Sequence, residues 1–172
     1  MQTTLNYHYL RTYLPVRYSA DFQQQQNRRE VYNFKDGKCS SELKRELINE
    51  IRDAIGYSKY EWIVCFIPAS TYQRTMTRYS EILTSIKNEI GVDVTLNAIQ
   101  VIADKEPGHN GKKESNPASN YSFNNNLYRG KKVLLIDDVI TRGTTFKSTA
   151  IKLLESGAKD VKGLFIAKTV WN

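Results

Sequence analysis

Residues 133–145 run Val-Leu-Leu-Ile-Asp-Asp-Val-Ile-Thr-Arg-Gly-Thr-Thr, and no other segment constrains the architecture as strongly. Val133 to Ile136 is an unbroken apolar run, the pattern of a strand buried on both faces by helices in a parallel sheet. Asp137 and Asp138 follow, then a hydroxyl- and glycine-rich turn from Thr141 to Thr145. Beyond it, Phe146, Ala150, Leu153 and Leu154 fall on one side of a helix. A strand that turns sharply into a helix presents the helix's first N–H groups, which lack internal partners and attract anions. Two carboxylates beside such a site oppose a ligand that is only an anion. They suit a sugar phosphate, whose phosphate takes the N–H groups and threonine hydroxyls while the sugar hydroxyls donate to the acids. Gly143 fits a close backbone approach or a positive φ.

The rest of the chain repeats this alternation. Leu43, Leu47, Ile51 and Ile55 recur every four residues, predicting a helix over 42–55 capped by Ser40 or Ser41 and ended by Gly56. Residues 62–67 read as a second buried strand, broken by Pro68-Ala69-Ser70-Thr71. A helix is expected over 77–90 with Gly91 as its stop, then strands over 94–101 and 161–167. Residues 1–30, rich in tyrosine, read as an irregular flap or hood, with a short stretch at 28–37 ending in an Asp36-Gly37 turn. Residues 104–126, with Gly108, Gly111 and two prolines, read as one long flexible loop, and its Lys105, His109, Lys112 and Lys113 as candidates for a lid. The expectation is one α/β domain over 1–172: a mostly parallel central sheet flanked by helices, with ligands at the carboxyl ends of the strands.

Composition narrows the classes. No apolar run approaches the roughly 18 residues of a membrane span, and the N-terminus lacks the pattern of a secretory signal, so a cytoplasmic protein is expected. Cys39 and Cys65 read as free thiols in a reducing compartment, and two Cys with two His do not suggest zinc. The net charge is +7, and residues 125–172 hold nine Lys/Arg against four Asp/Glu. An anionic ligand explains that concentration; nucleic acid does as well.

The segment 133–145 resembles the phosphoribosyl diphosphate (PRPP) motif of type I phosphoribosyltransferases: an apolar run, two acids, then a Thr/Gly loop. Arg142 departs from the small residue usual there. More broadly, residues 28–168 are similar to the ComF-like phosphoribosyltransferase domain, on the strength of 31–37, 62–68, Arg74 with 79–83, 116–123 and 161–168. The Gly-Phe-Asn-Gln run and the N-terminal zinc module of that family are missing. The resemblance implies a type I phosphoribosyltransferase fold with a small N-terminal hood. It implies that Asp137 and Asp138 bind ribose and reach Mg²⁺ through PRPP and water. Thr141, Arg142, Gly143, Thr144 and Thr145 then hold the 5′-phosphate, and Pro68, Ala69, Ser70, Thr71 and Arg74 the pyrophosphate. The implied reaction moves phosphoribosyl from magnesium-bound PRPP to a nitrogenous base-type acceptor, and the implied assembly is a homodimer. The alternative is a non-catalytic PRPP- or nucleotide-binding module of ComF type, tied to DNA uptake or regulation.

Overall fold

The computed structural model of the protein describes residues 4–102 and 116–171. In chain order its elements are β1 (Asn6–Tyr13), α1 (Phe22–Lys35), α2 (Ser41–Ile55), β2 (Trp62–Phe66), α3 (Tyr72–Glu89), β3 (Asp93–Val94), β4 (Ile99–Val101), β5 (Tyr121–Phe123), β6 (Lys132–Ile140), α4 (Thr144–Glu155) and β7 (Asp160–Thr169). Five strands form one sheet in the order β1-β7-β6-β2-β3, with every neighbouring pair parallel. β4 and β5 pair antiparallel in a small second sheet.

The apolar run of β6 explains the layering. Side chains alternate across a strand, so Leu134 and Ile136 join α1, α2 and α3 in one core, while Val133 and Leu135 join α4 and the small sheet in another. Both faces are dry, which is why β6 shows no polar alternation until its acids. Among the described residues no helix is long and apolar enough to cross a membrane.

Chain direction then positions the site. From β2 the chain crosses over α3 to β3, toward one edge; from β6 it crosses over α4 to β7, toward the other. Two crossovers of the same hand running in opposite directions must lie on opposite faces of the sheet, and α3 and α4 do. β2 and β6 are neighbours, with Phe66 opposite Ile136. A crevice therefore opens between their carboxyl ends, the usual ligand position in an open α/β sheet.

Three expectations are corrected. Residues 6–35 are not an irregular hood: β1 is an edge strand paired with β7 from Asn6–Lys162 to Tyr13–Thr169, and α1 packs against it. Polar bonds hold much of this segment, and α1 buries only two apolar side chains, Val31 and Phe34, too few to show a period. Arg28 donates from Nε to Leu14 O at 2.6 Å and from Nη2 to Pro15 O and Tyr18 O at 2.8 and 2.9 Å. Buried Asn27 donates to Thr12 O at 3.0 Å. Second, the stretch 94–101 is divided between sheets, Val94 ending β3 and Ile99 opening β4. Third, residues 116–126 are not featureless: they form β5 between two short 3-10 turns. Residues 103–115, with the lid candidates Lys105, His109, Lys112 and Lys113, lie outside the described residues.

Replacing Arg28 with Ala removes a donor from three carbonyls, of which Pro15 O keeps the Tyr18 N–H. Urea denaturation should show a loss of about 2 kcal/mol, the scale for charge-assisted bonds, and amide exchange should speed up through residues 6–18. Lysine should restore only part of it, because an ammonium cannot match the fork. Unchanged exchange in β1 would show that the strand is held otherwise.

Candidate functional site

β6 delivers Asp137 and Asp138 to the crevice. Asp137 lines a cleft of about 440 Å³ together with Thr141, Gly143, Thr144 and Thr145. Its Oδ1 accepts from the Asp138 N–H at 2.8 Å and lies 3.1 Å from the Tyr79 hydroxyl. The same hydroxyl donates to Ile67 O at 2.7 Å, so one buried phenol ties the end of β2 to the first acid. Asp138 sits among cations from α1 and α3. Arg78 Nη1 and Lys35 Nζ each lie 3.5 Å from its Oδ2, and Arg78 Nη1 is 3.9 Å from Asp137 Oδ1.

Burial, and then the neighbouring Asp138 charge, hold the Asp137 carboxyl well above the usual carboxylate range. Burial, followed by the Asp137 and Asp138 charges, likewise raises Tyr79 well above the ordinary phenol value, keeping its hydroxyl a donor. Tyr121 of β5 is pushed up to about 12 by burial, with the Asp137 charge adding. Burial works against the charge of Arg78, but Tyr79 and the two acids outweigh it and hold Arg78 above its usual value.

The turn after β6 is built for open N–H groups. Gly143 has φ +79°, a conformation that L side chains rarely adopt. It occupies the N-cap of α4 without offering a side-chain acceptor. In contrast, Asp21, Ser40 and Thr71 cap α1, α2 and α3 with side-chain oxygens. α4 alone among these helices leaves its first turn uncapped, in the cleft that Thr144 and Thr145 line. The Thr141 and Thr169 hydroxyls meet at 2.8 Å, fastening the turn to the end of β7. Arg142 is exposed and lines the same cleft.

The loop after β2 starts beside the end of β6, where Ile67 N–H donates to Ile136 O at 2.9 Å. Pro68 and Ala69 are buried, and Ser70 is exposed. Ala69 N–H donates to Thr75 Oγ1 at 3.0 Å. Thr71 Oγ1 accepts from Arg74 N–H at 3.1 Å, so α3 begins at Tyr72, five residues before the helix expected over 77–90. Arg74 is exposed, with Nη1 3.4 Å from Ser70 Oγ. The two candidate loops thus follow neighbouring strands and each leads into a helix, while the cleft that Asp137 lines includes none of residues 68–74.

Sequence reasoning missed three participants. Tyr79 reads as an apolar helix position, yet a tyrosine on a fully buried face needs a partner for its hydroxyl, and that was the available signal. Lys35 lies at the end of α1, a helix that apolar spacing does not reveal. Trp171 lines the cleft at 51% exposure, with the Arg17 guanidinium 5.3 Å from its ring. The free thiols are poor nucleophiles at neutral pH: burial pushes Cys65 to about 12 and Cys39 to about 11.

The model of the phosphoribosyl transferase domain family matches residues 74–168. That span holds most of α3, both acids, the Thr/Gly turn and most of β7. Among solved structures, the allosteric regulatory enzyme of purine biosynthesis is 18% identical with a TM-score of 0.47, over 76% of this chain and 25% of that one. Adenine phosphoribosyltransferase from Saccharomyces cerevisiae is 18% identical with a TM-score of 0.44, over 75% and 70%. Trypanosoma cruzi hypoxanthine phosphoribosyl transferase is 11% identical with a TM-score of 0.45, over 85% and 76%. The chain therefore spans about a quarter of the length of the first. No curated protein sequence matches it.

The raised carboxyl has a sign that can be tested. Folded Asp137 keeps its proton to higher pH than the unfolded chain does, so its contribution to stability is complete in acid and is lost as pH rises through its folded value. Asp137→Asn should melt with the wild type in acid. As pH rises toward neutrality it should pull ahead, by about 3 °C, or about 1 kcal/mol for a chain of this size. A mutant less stable than the wild type at pH 7 and equal to it in acid would mean that the carboxylate is stabilised here.

Proposed function

The chain belongs to the phosphoribosyl transferase domain family, and from that premise we propose that it binds PRPP and transfers its phosphoribosyl group to a nitrogenous base-type acceptor, releasing pyrophosphate. One observation carries the reading: Asp137 lines the same cleft as the uncapped first turn of α4 and the Thr141–Thr145 turn. A ribose 5-phosphate spans those features. Its phosphate meets the N–H groups of Thr144 and Thr145 and the threonine hydroxyls, and its ring hydroxyls donate to Asp137 and Asp138. Pyrophosphate then leaves toward Ser70, Thr71 and Arg74, across the crevice.

As the bond from C1 to pyrophosphate breaks, positive charge grows on the ribose and negative charge on the leaving group. The acids face the first and the cations at the start of α3 the second, so the contribution of these residues is placement and electrostatics. Both described contacts of Asp137 within 3.2 Å involve Oδ1, which leaves Oδ2 for the ligand. Among the described residues no group of three or more His, Cys, Asp or Glu could hold a metal. Asp137 and Asp138 would reach Mg²⁺ arriving with the donor through water, and the ion would neutralise the departing pyrophosphate.

A second reading, a PRPP- or nucleotide-binding module without catalysis, draws support from Asp138: Lys35 and Arg78 already flank its carboxylate and compete with a ribose hydroxyl for it.

Incubation with PRPP, Mg²⁺ and a panel of nitrogenous bases should release pyrophosphate with at least one acceptor. PRPP binding without release from any acceptor would favour the module. The Asp137→Asn, Asp138→Asn double variant should remain folded and lose at least tenfold in PRPP affinity, about 1.4 kcal/mol. Wild-type affinity in that variant would overturn the site.

A further inference from the structure

A second cleft of about 410 Å³ lies against the same turn. It shares Thr141, Arg142 and Gly143 with the first cleft, so the turn borders both. Its other polar side chains are Tyr7, Lys147 and Lys168. Its character differs from that of its neighbour. The first cleft is lined by Asp137; the second is lined by three cations and no acid. The cleft near the start of β7 also mixes signs, with Glu50 and Asp53 beside Lys162.

The three cations have no ion pair with a described residue, whereas Lys35, Lys44, Arg78, Lys131 and Lys132 each face a carboxylate. Lys168 is held in place by aromatic rings: its ammonium lies 5.4 Å from the centroid of Tyr7 and 5.6 Å from that of Tyr9. Lys147, in the first turn of α4, comes from the same helix start that bounds the first cleft. Three cations lining one concavity with no acid among them favour an anion there. A terminal 5′-phosphate on the turn is met by N–H groups and hydroxyls, and it leaves Lys147 and Lys168 unused.

We propose that this second cleft receives a further phosphoryl group joined to the one on the turn, so that the protein binds ribose ligands carrying a 5′-diphosphate, such as nucleoside diphosphates, in preference to their 5′-monophosphates. The inference rests on the reading above that the turn holds a ribose 5′-phosphate. It adds a ligand class and gives Lys147, Lys168 and the unusual Arg142 a shared role. The attraction is between solvated charges, so it is moderate and weakens with salt.

The test is calorimetric titration of the full chain with the four common nucleoside 5′-monophosphates and the four matching 5′-diphosphates. At least one diphosphate should bind about tenfold more tightly than its monophosphate at low salt, with the margin shrinking as salt is added. In the Lys147→Ala, Lys168→Ala double variant the monophosphate affinity should stay as in the wild type, because neither lysine lines the first cleft, and the diphosphate margin should vanish. Monophosphate binding with no diphosphate margin would overturn the inference and leave the ribose-phosphate site standing. A margin that survives in the double variant would overturn it too. Failure of both ligand series, with PRPP also failing to bind, would remove the site reading on which it rests.

Discussion

The reversal of strand order between the parallel neighbours β2 and β6 is the constraint on which the rest depends. Because the two strands pair side by side while their crossovers depart toward opposite edges, their following loops cannot close over each other. A crevice remains between the strand ends. Tyr79 braces this arrangement from within: its hydroxyl contacts Ile67 O where β2 ends and Asp137 where β6 turns acidic. A buried phenol in contact with oxygens on both neighbouring strands joins the end of β2 to the first acid.

The electrostatics follow from that geometry. Two carboxylates at adjacent positions of one buried strand repel each other and lose hydration, and the surroundings answer with Arg78, Lys35 and the Asp138 N–H. This compensation is partial, as the upward displacement of Asp137 shows. Residues held at such a cost are candidates for function rather than for stability, and here the family match covers the same stretch of chain. Positive charge is arranged to complement the acids. Cations flank Asp138, open the α3 side of the crevice, and gather beyond the Thr/Gly turn where no described acid meets them.

The parts that were legible in the sequence were those written in apolar periodicity or in a dense local motif. β6, β2 and the helix over 42–55 belong to the first kind, and the acid pair with its turn to the second. The N-terminal segment was not legible because its attachments are polar and distant: Arg28 and Asn27 fix backbone carbonyls that no spacing rule connects to them. The stretch 94–101 looks like one strand because Val94, Leu96 and Ala98 alternate, yet the Asn97 N–H bond to Thr95 Oγ1 turns the chain and sends its halves to different sheets. Tyr79 and Trp171 come to the site through tertiary structure alone, one from a helix's buried face and one from beyond the last strand.

The central claim is that the acids recognise the hydroxyls of a ribose whose phosphate lies on the turn. The most direct measurement is a calorimetric comparison of ribose 5-phosphate with 2-deoxyribose 5-phosphate, which keep the same phosphate and differ by one hydroxyl. Leaving a partly buried acceptor without its donor should weaken binding of the deoxy sugar by about tenfold. Equal affinity for the two sugars would contradict the account, since the phosphate alone would then be what the cleft holds.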